Sequence, residues 1–367
     1  MEQIIRFGQS NRQFFSTLRS RVDEYFKTRN LSKNANYKMV IKTISMLSIY
    51  LIPYALMVSG LVTLNAWMIL GLYVVMGIGM AGVGFSIMHD ANHGSYSRNT
   101  KVNKILSFTM YMLGGSPLNW QIQHNVLHHT YTNISGKDED IDAPIWLLRF
   151  SPHSPHYKIQ KYQYLYAWAF YSLITIMWSI TKDFKQLKRY DEMGLLKVKN
   201  TSYKQEIGKL IFAKLCYYTF IMVVPLLCID AAWWVIAIGY VSMHLVCGVI
   251  ISVVFQLAHV VPEMEFPMPD TNGNIEDDWA IHQLKTTANF ARNNRVLSWF
   301  VGGLNYQIEH HLFPTVCHVH YREISKIVKS TAKEFNVMYM EIPTFRKAIW
   351  LHAKELKMLG QPNPIAA

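Results

Sequence analysis

Four long apolar runs divide the chain: Thr43 to Val62, Ala66 to Met88, Leu210 to Ile229 and Ala231 to Phe255. Each is close to the length of about 20 residues that a helix needs to cross a bilayer. Pro53 is a candidate kink in the first. The second is rich in glycine, with Gly71, Gly77, Gly79, Gly82 and Gly84, which lets helices approach closely in lipid. The links after Val62 and after Ile229 are tight and carry no Lys or Arg, so the runs pair into two hairpins whose turns face outward. Shorter apolar pieces follow a different rule. Residues 104–118 are too short to span and read as an interfacial segment that turns back. Residues 162–180 lack charge but carry Tyr162, Tyr164, Tyr166, Trp168, Tyr171 and Trp178, rings that favour the interface. They read as a re-entrant or surface helix. Residues 262–278 read as a loop, 280–300 as helical, and the mixed pattern from Tyr321 as amphipathic helices with a Pro-containing tail.

The fold predicted is an all-α integral membrane protein with four transmembrane helices and a cytoplasmic helical cap holding a histidine-rich di-metal site. The domains expected are an N-terminal arm over 1–42 at the membrane surface, a membrane domain over 43–320 and C-terminal helices over 321–367. Charge agrees with this. The net charge is +12, and the basic residues flank the apolar runs. The arm holds nine Lys/Arg against three acids, and eight more Lys/Arg lie from Lys182 to Lys209. That distribution marks cytoplasmic loops near anionic lipid and argues against nucleic acid. Both termini are expected on the cytoplasmic side. No apolar core follows the N-terminus, so no cleavable signal peptide is expected. Cys216, Cys228, Cys247 and Cys317 form no Cys-x-x-Cys pair and read as small buried residues.

Seven of the 15 histidines fall in three short boxes. His89 and His93 stand four apart, as do His124 and His128, and His129 adds a third ring to the second pair. His310 and His311 are adjacent, with Gln307 one turn earlier. Residues four apart leave one face of a helix, and imidazole suits Fe, Zn, Cu or Ni. His259, at the end of the fourth run, mirrors His89 at the end of the second. Eight imidazoles plus Gln307 are too many for one ion and fit two. Ligating imidazoles need acceptors for their other ring nitrogen. Asp90, Asp138, Asp140, Glu263 and Glu309 are the candidates. His244 reads as buried against a neighbouring helix, His318 and His320 as supporting or structural, and His153, His156, His282 and His352 as solvated or structural. No nucleophile elbow, Walker loop or dinucleotide fingerprint occurs, and His-Glu-x-x-His is missing. No catalytic residue is expected beyond the metal centre.

The combination His-x-x-x-His, His-x-x-x-His-His and Gln-x-x-His-His resembles the membrane fatty-acid desaturases from about residue 40 onward. Gln307 within Gln-Ile-Glu-His-His-Leu-Phe-Pro is similar to the front-end branch, as are Trp120, His124-Asn125 and Thr132-Asn133-Ile134. The resemblance implies two iron ions held by His89, His93, His124, His128, His129, His259, His310 and His311, with Gln307 binding directly or through water. It implies an O2-dependent desaturase that places a cis double bond between an existing one and the carboxyl end of a fatty-acyl lipid or acyl-CoA. Residues 1–42 are too short for a fused cytochrome b5 domain and His-Pro-Gly-Gly does not occur. The expected donor is therefore a separate ferredoxin or cytochrome b5 type protein. The membrane expected is the bacterial plasma membrane or endoplasmic reticulum. The alternatives are a fatty-acyl hydroxylase or ketolase on the same scaffold, and a membrane metal transporter or receptor.

Overall fold

In the computed structural model, which describes residues 5–9, 12–142 and 145–362, four helices are long and apolar enough to cross a membrane. They are Tyr37–Val58, Ala66–Asn92, Tyr203–Cys228 and Trp233–His259. Two begin earlier than charge alone suggests. The first takes in Lys38 and Lys42, and the third starts where the Ser202 hydroxyl caps the amide of Gln205. A helix begins where its first amides find a cap, not where the charges stop. The second is capped likewise, by the Asn65 side chain on the amide of Met68 at 3.0 Å.

The chain divides into two compact units. One comprises Tyr37–Ile122 and Trp168–Ser252 and holds most of the apolar helices. Glycine sets their spacing. A Cβ on Gly79 would meet the backbone of Ile49 and Tyr50, and one on Gly77 the carbonyl of Met243. Pro53 is accommodated within its helix. Outward faces carry Ile44, Ile52, Phe212, Leu215 and Leu227, all exposed, as lipid contact requires. Residues 104–118 turn back through a short 3-10 helix, Phe108–Leu113, that ends on Gly114 at φ +75.

The 162–180 stretch is helical but broken at Leu173, so it is not among the helices long enough to span. Within this unit its later part runs antiparallel beside the last apolar helix. The Tyr171 carbonyl accepts from Ser252, the Thr175 hydroxyl donates to the His244 carbonyl, and Ser179 meets the Tyr240 hydroxyl at 2.8 Å. His244 is buried as expected, between Tyr217 at 2.6 Å and Thr175 at 3.0 Å.

Lys214 lies inside the third apolar helix, buried. Its ammonium donates to the carbonyls of Gly114 and Trp178 and to Asp183 at 2.7 Å, so all three protons are used. Asn119 donates to the Asp183 carbonyl at 2.8 Å. Lys214→Ala strands the Asp183 carboxylate and is expected to cost about 3–5 kcal/mol. A lowered thermal midpoint of the purified protein checks this, and a companion Asp183→Leu substitution should restore most of it.

The second unit comprises Met1–Asn36, Gln123–Ala167 and Val253–Ala367. Residues from both sides of the expected boundaries at 42 and 321 share one core with the third histidine box. The helix Arg12–Thr28 buries Phe14, Leu18, Val22 and Phe26 in a cluster with Ile308, Tyr321, Ile324 and Val328. Its apolar stripe is spent on protein and is not available to a membrane surface. Arg21 forks onto Glu334 at 2.6 and 3.1 Å. The 280–300 region is not one helix. Trp279–Thr286 and Arg295–Phe300 are separated by the strand Asn289–Phe290, which pairs in parallel with Glu341–Ile342. The strand Arg6–Phe7 pairs likewise with Asn274–Ile275. The Pro-containing tail expected at the C-terminal end lies, from residue 363, outside the described residues.

Candidate metal centre

Two of the three histidine boxes sit on or beside π-helical turns. Gln121–His128 is π-helical and Val83–Met88 leads directly into His89. A π turn widens the helix and recurs at functional sites because it re-aims side chains. In box two it brings the His124 and His128 rings into a stack 5.2 Å apart.

Six of the predicted histidines converge within one unit. The Nε2 atoms of His124, His129 and His310 lie 2.9 to 3.3 Å from one another. A second set, His128, His259 and His311, offers ligand atoms that all lie within 4.8 Å of one another. The two sets abut, with the His129 and His311 rings stacked at 4.4 Å. All six side chains are buried. His89 and His93 belong to the other unit, where their rings are 4.6 Å apart and both stand edge-on to Trp120 at 5.6 Å.

Each set is oriented from behind. His128 Nδ1 donates to Asp138 at 3.0 Å, with Asp140 at 3.4 Å. His259 Nδ1 donates to the Thr286 carbonyl at 3.1 Å, and His311 Nδ1 to Gln283 Oε1 at 2.7 Å. His310 Nδ1 lies 3.3 Å from the Tyr321 hydroxyl. In the other unit His89 Nδ1 is 3.4 Å from Asp90. Ring nitrogens held this way leave Nε2 to face the site.

Of the five carboxylates expected to serve, Asp138 and Asp140 face imidazoles of this unit and Asp90 faces His89. Two do not. Glu263 is exposed, on backbone with φ +71, and the partner of His259 is a carbonyl instead. Glu309 is buried, but its carboxylate goes to Asn289 and Tyr339, each at 2.9 Å. Burial pushes Glu309 up to about 7 against those two bonds and the charge of Arg292. For the pair at His128, burial disfavours both ions, yet each charge outweighs it for the other. His128 is raised by Asp138 and Asp140, and Asp138 is lowered by His128. His282 is structural, with Nε2 donating to the Thr132 carbonyl at 2.8 Å. His320 donates to the Asn34 carbonyl at 3.2 Å, and His352 to that of Val260 at 2.6 Å.

The donor set fits a first-row metal. Nitrogens bound about 2.1 Å from one ion stand roughly 3.0 to 3.4 Å apart, depending on the angle between them. The first set already has that spacing. His128 Nε2, His259 Nε2 and both amide atoms of Gln307 are buried without a hydrogen-bond partner among the described residues. Such atoms cost free energy unless a ligand meets them.

Residues around the boxes complete the support. The Thr132 hydroxyl lies 2.8 Å from the His128 carbonyl and 2.9 Å from Gln283 Oε1. Asn133, at φ +60, donates to the His259 carbonyl at 3.1 Å. The Asn133 signal was the left-handed backbone that asparagine tolerates.

The fatty acid desaturase family matches residues 65–343, a span that takes in all three boxes. A Synechocystis protein named sn-1 linoleoyl-lipid 6-desaturase is 35% identical over 98% of this chain and 98% of its own. An Arthrospira platensis protein of the same name is 36% identical over 97% and 95%. A Physcomitrium patens acyl-lipid (8-3)-desaturase is 33% identical, over 95% of this chain and 72% of its own.

Proposed function

The chain belongs to the fatty acid desaturase family and is an oxidoreductase acting on fatty-acyl chains; from that premise we propose a di-iron enzyme that places a cis double bond on the carboxyl side of an existing one, in an acyl chain carried by a membrane lipid. The names of the relatives support the acyl-lipid substrate. The observation that carries the metal reading is the mutual spacing of His124, His129 and His310 Nε2 at 2.9 to 3.3 Å.

His124, His128, His129, His259, His310 and His311, with His89 and His93, would hold two iron ions, and Gln307 would meet one directly or through water. Iron supplies the O2 activation that an unactivated CH2 group requires. The protein's own part is different. Asp138, Thr286 and Gln283 fix the ring tautomers of His128, His259 and His311. The buried surroundings exclude water, and a fixed acyl position selects which two carbons lose hydrogen. Two electrons come from a separate ferredoxin or cytochrome b5 type donor. The site and both termini face the cytoplasm, in a bacterial plasma membrane or the endoplasmic reticulum, as the loop charges favour.

The test is fatty-acid profiling of a host expressing the chain and fed several unsaturated acids. A new cis double bond between an existing one and the carboxyl end is expected. A hydroxy acid without a new alkene would replace the desaturase reading with a hydroxylase.

A further inference from the structure

The helix Tyr321–Glu334 has a buried face and an exposed one. Its inner face carries Tyr321, whose hydroxyl reaches His310 Nδ1. Its outer side carries Arg322, Lys326, Lys329 and Lys333, spaced four, three and four residues apart and therefore one stripe. Glu323 answers Lys326 at 2.7 Å, and Glu341 is shared between Lys329 at 2.8 Å and Arg292 at 2.9 Å. Five cations thus face two carboxylates. An open pocket of about 530 Å³ adjoins the stripe, with Lys329, Lys333 and Asn336 on its wall and Val337, Met338 and Tyr339 beside them. Tyr339 is bonded onward to Glu309 at 2.9 Å, and Glu309 is one peptide from His310. Asn289 and Arg292 each donate to the Tyr339 hydroxyl, which fixes the connection.

We propose that this stripe and pocket form the docking surface of an acidic one-electron carrier protein. The inference rests on the iron reading above. Converting CH2–CH2 to CH=CH with reduction of O2 to two waters takes two electrons and two protons beyond those the substrate yields. Each carrier would give up one electron to the iron that the histidines would hold, and solvent would supply the protons. Redox partners meet through small patches, steered by charge, with an apolar centre inside a charged rim. Basic lysines around Val337 and Met338 have that form. A face that only adsorbs to anionic lipid has no need of the bonded link from its pocket to a metal-binding helix.

The test uses the full chain in neutral-lipid nanodiscs, with a plant-type [2Fe–2S] ferredoxin as the probe. Binding of oxidised ferredoxin is measured by thermophoresis at low and at high salt. The triple variant Arg322→Glu, Lys326→Glu, Lys333→Glu leaves the Lys329–Glu341 pair in place. It is expected to weaken binding about 10- to 100-fold at low salt, with the gap closing at high salt. A control triple, Lys197→Glu, Lys199→Glu, Lys204→Glu, should stay within about threefold of the unaltered chain. Turnover driven by dithionite should persist in the first variant. Ferredoxin bound as tightly by it as by the unaltered chain overturns the proposal, as does an equal loss in the control. So does a loss confined to retention of phosphatidylglycerol vesicles. Failure of dithionite to drive desaturation by the unaltered chain would instead overturn the iron reading.

Discussion

His311→Ala is expected to abolish desaturation and to lower bound iron from about two ions per chain to about one or none. This change touches both sets of imidazoles. The His311 ring stacks on His129 at 4.4 Å and stands 4.9 Å from both His128 and His259. Its Nδ1 is held at 2.7 Å by Gln283, so the ring has one orientation. Alanine removes a nitrogen from the second set and a wall from the first. It also leaves Gln283 Oε1 with the Thr132 hydroxyl as a partner, so the fold is not stranded by the loss. Iron-free protein should therefore melt near the unaltered chain, while iron per chain and product both fall. His311→Gln separates volume from ligation, since an amide fills the space and supplies a poorer donor. It should lose product nearly as fully. A His311→Ala protein that keeps its full iron content would show that these six nitrogens do not enclose the metal.

The candidate ligands were legible in the sequence because a metal shell would demand one residue type at helical spacing. His89/His93, His124/His128/His129 and His310/His311 carry that demand on their face, and His259 was found by its place at the end of an apolar run. Their supports were legible in part: Asp90, Asp138 and Asp140 stand beside imidazoles as expected, but the neutral partners carry no such mark. Thr132, Gln283 and the Thr286 carbonyl act through hydrogen bonds that impose no period on the chain. Glu263 was expected to serve and stands exposed, since proximity in sequence to His259 does not survive a turn through φ +71. The π turns before His89 and through box two leave no mark in composition. At the level of the fold, hydropathy located four helices but placed the first and third starts late. It also could not reveal that Arg12–Thr28 packs with Tyr321–Glu334, because periodicity names the buried face and not its partner. Lys214 shows the opposite limit. A charge inside an apolar run is tolerated where two carbonyls and Asp183 take every proton.

Asp138→Ala is the second large effect expected, and it acts without touching metal. The Asp138 carboxylate is fully buried and receives four bonds: His128 Nδ1 at both oxygens, and the amides of Asn133 and Asp140 at 2.9 Å each. It therefore does two things. It holds the His128 ring in the tautomer that presents Nε2, and it closes the loop 133–140 that carries Asp140 beside the same ring. Loss of such a partner behind a ligating imidazole costs about 10- to 100-fold in metal affinity or activity. Asp138→Asn divides the two roles. The two loop amides reach different oxygens of Asp138, so the one amide oxygen of Asn can receive one of them and hold the loop in part, while the negative charge behind His128 is gone. Iron affinity measured against a chelator should then fall in the order unaltered chain, Asn variant, Ala variant. A purely structural role predicts something else: the Asn variant would match the unaltered chain in iron affinity, and the Ala variant would differ only in melting temperature. The proposed role as a positioning residue stands only if the Asn variant, still folded at the temperature of the titration, binds iron more weakly than the unaltered chain.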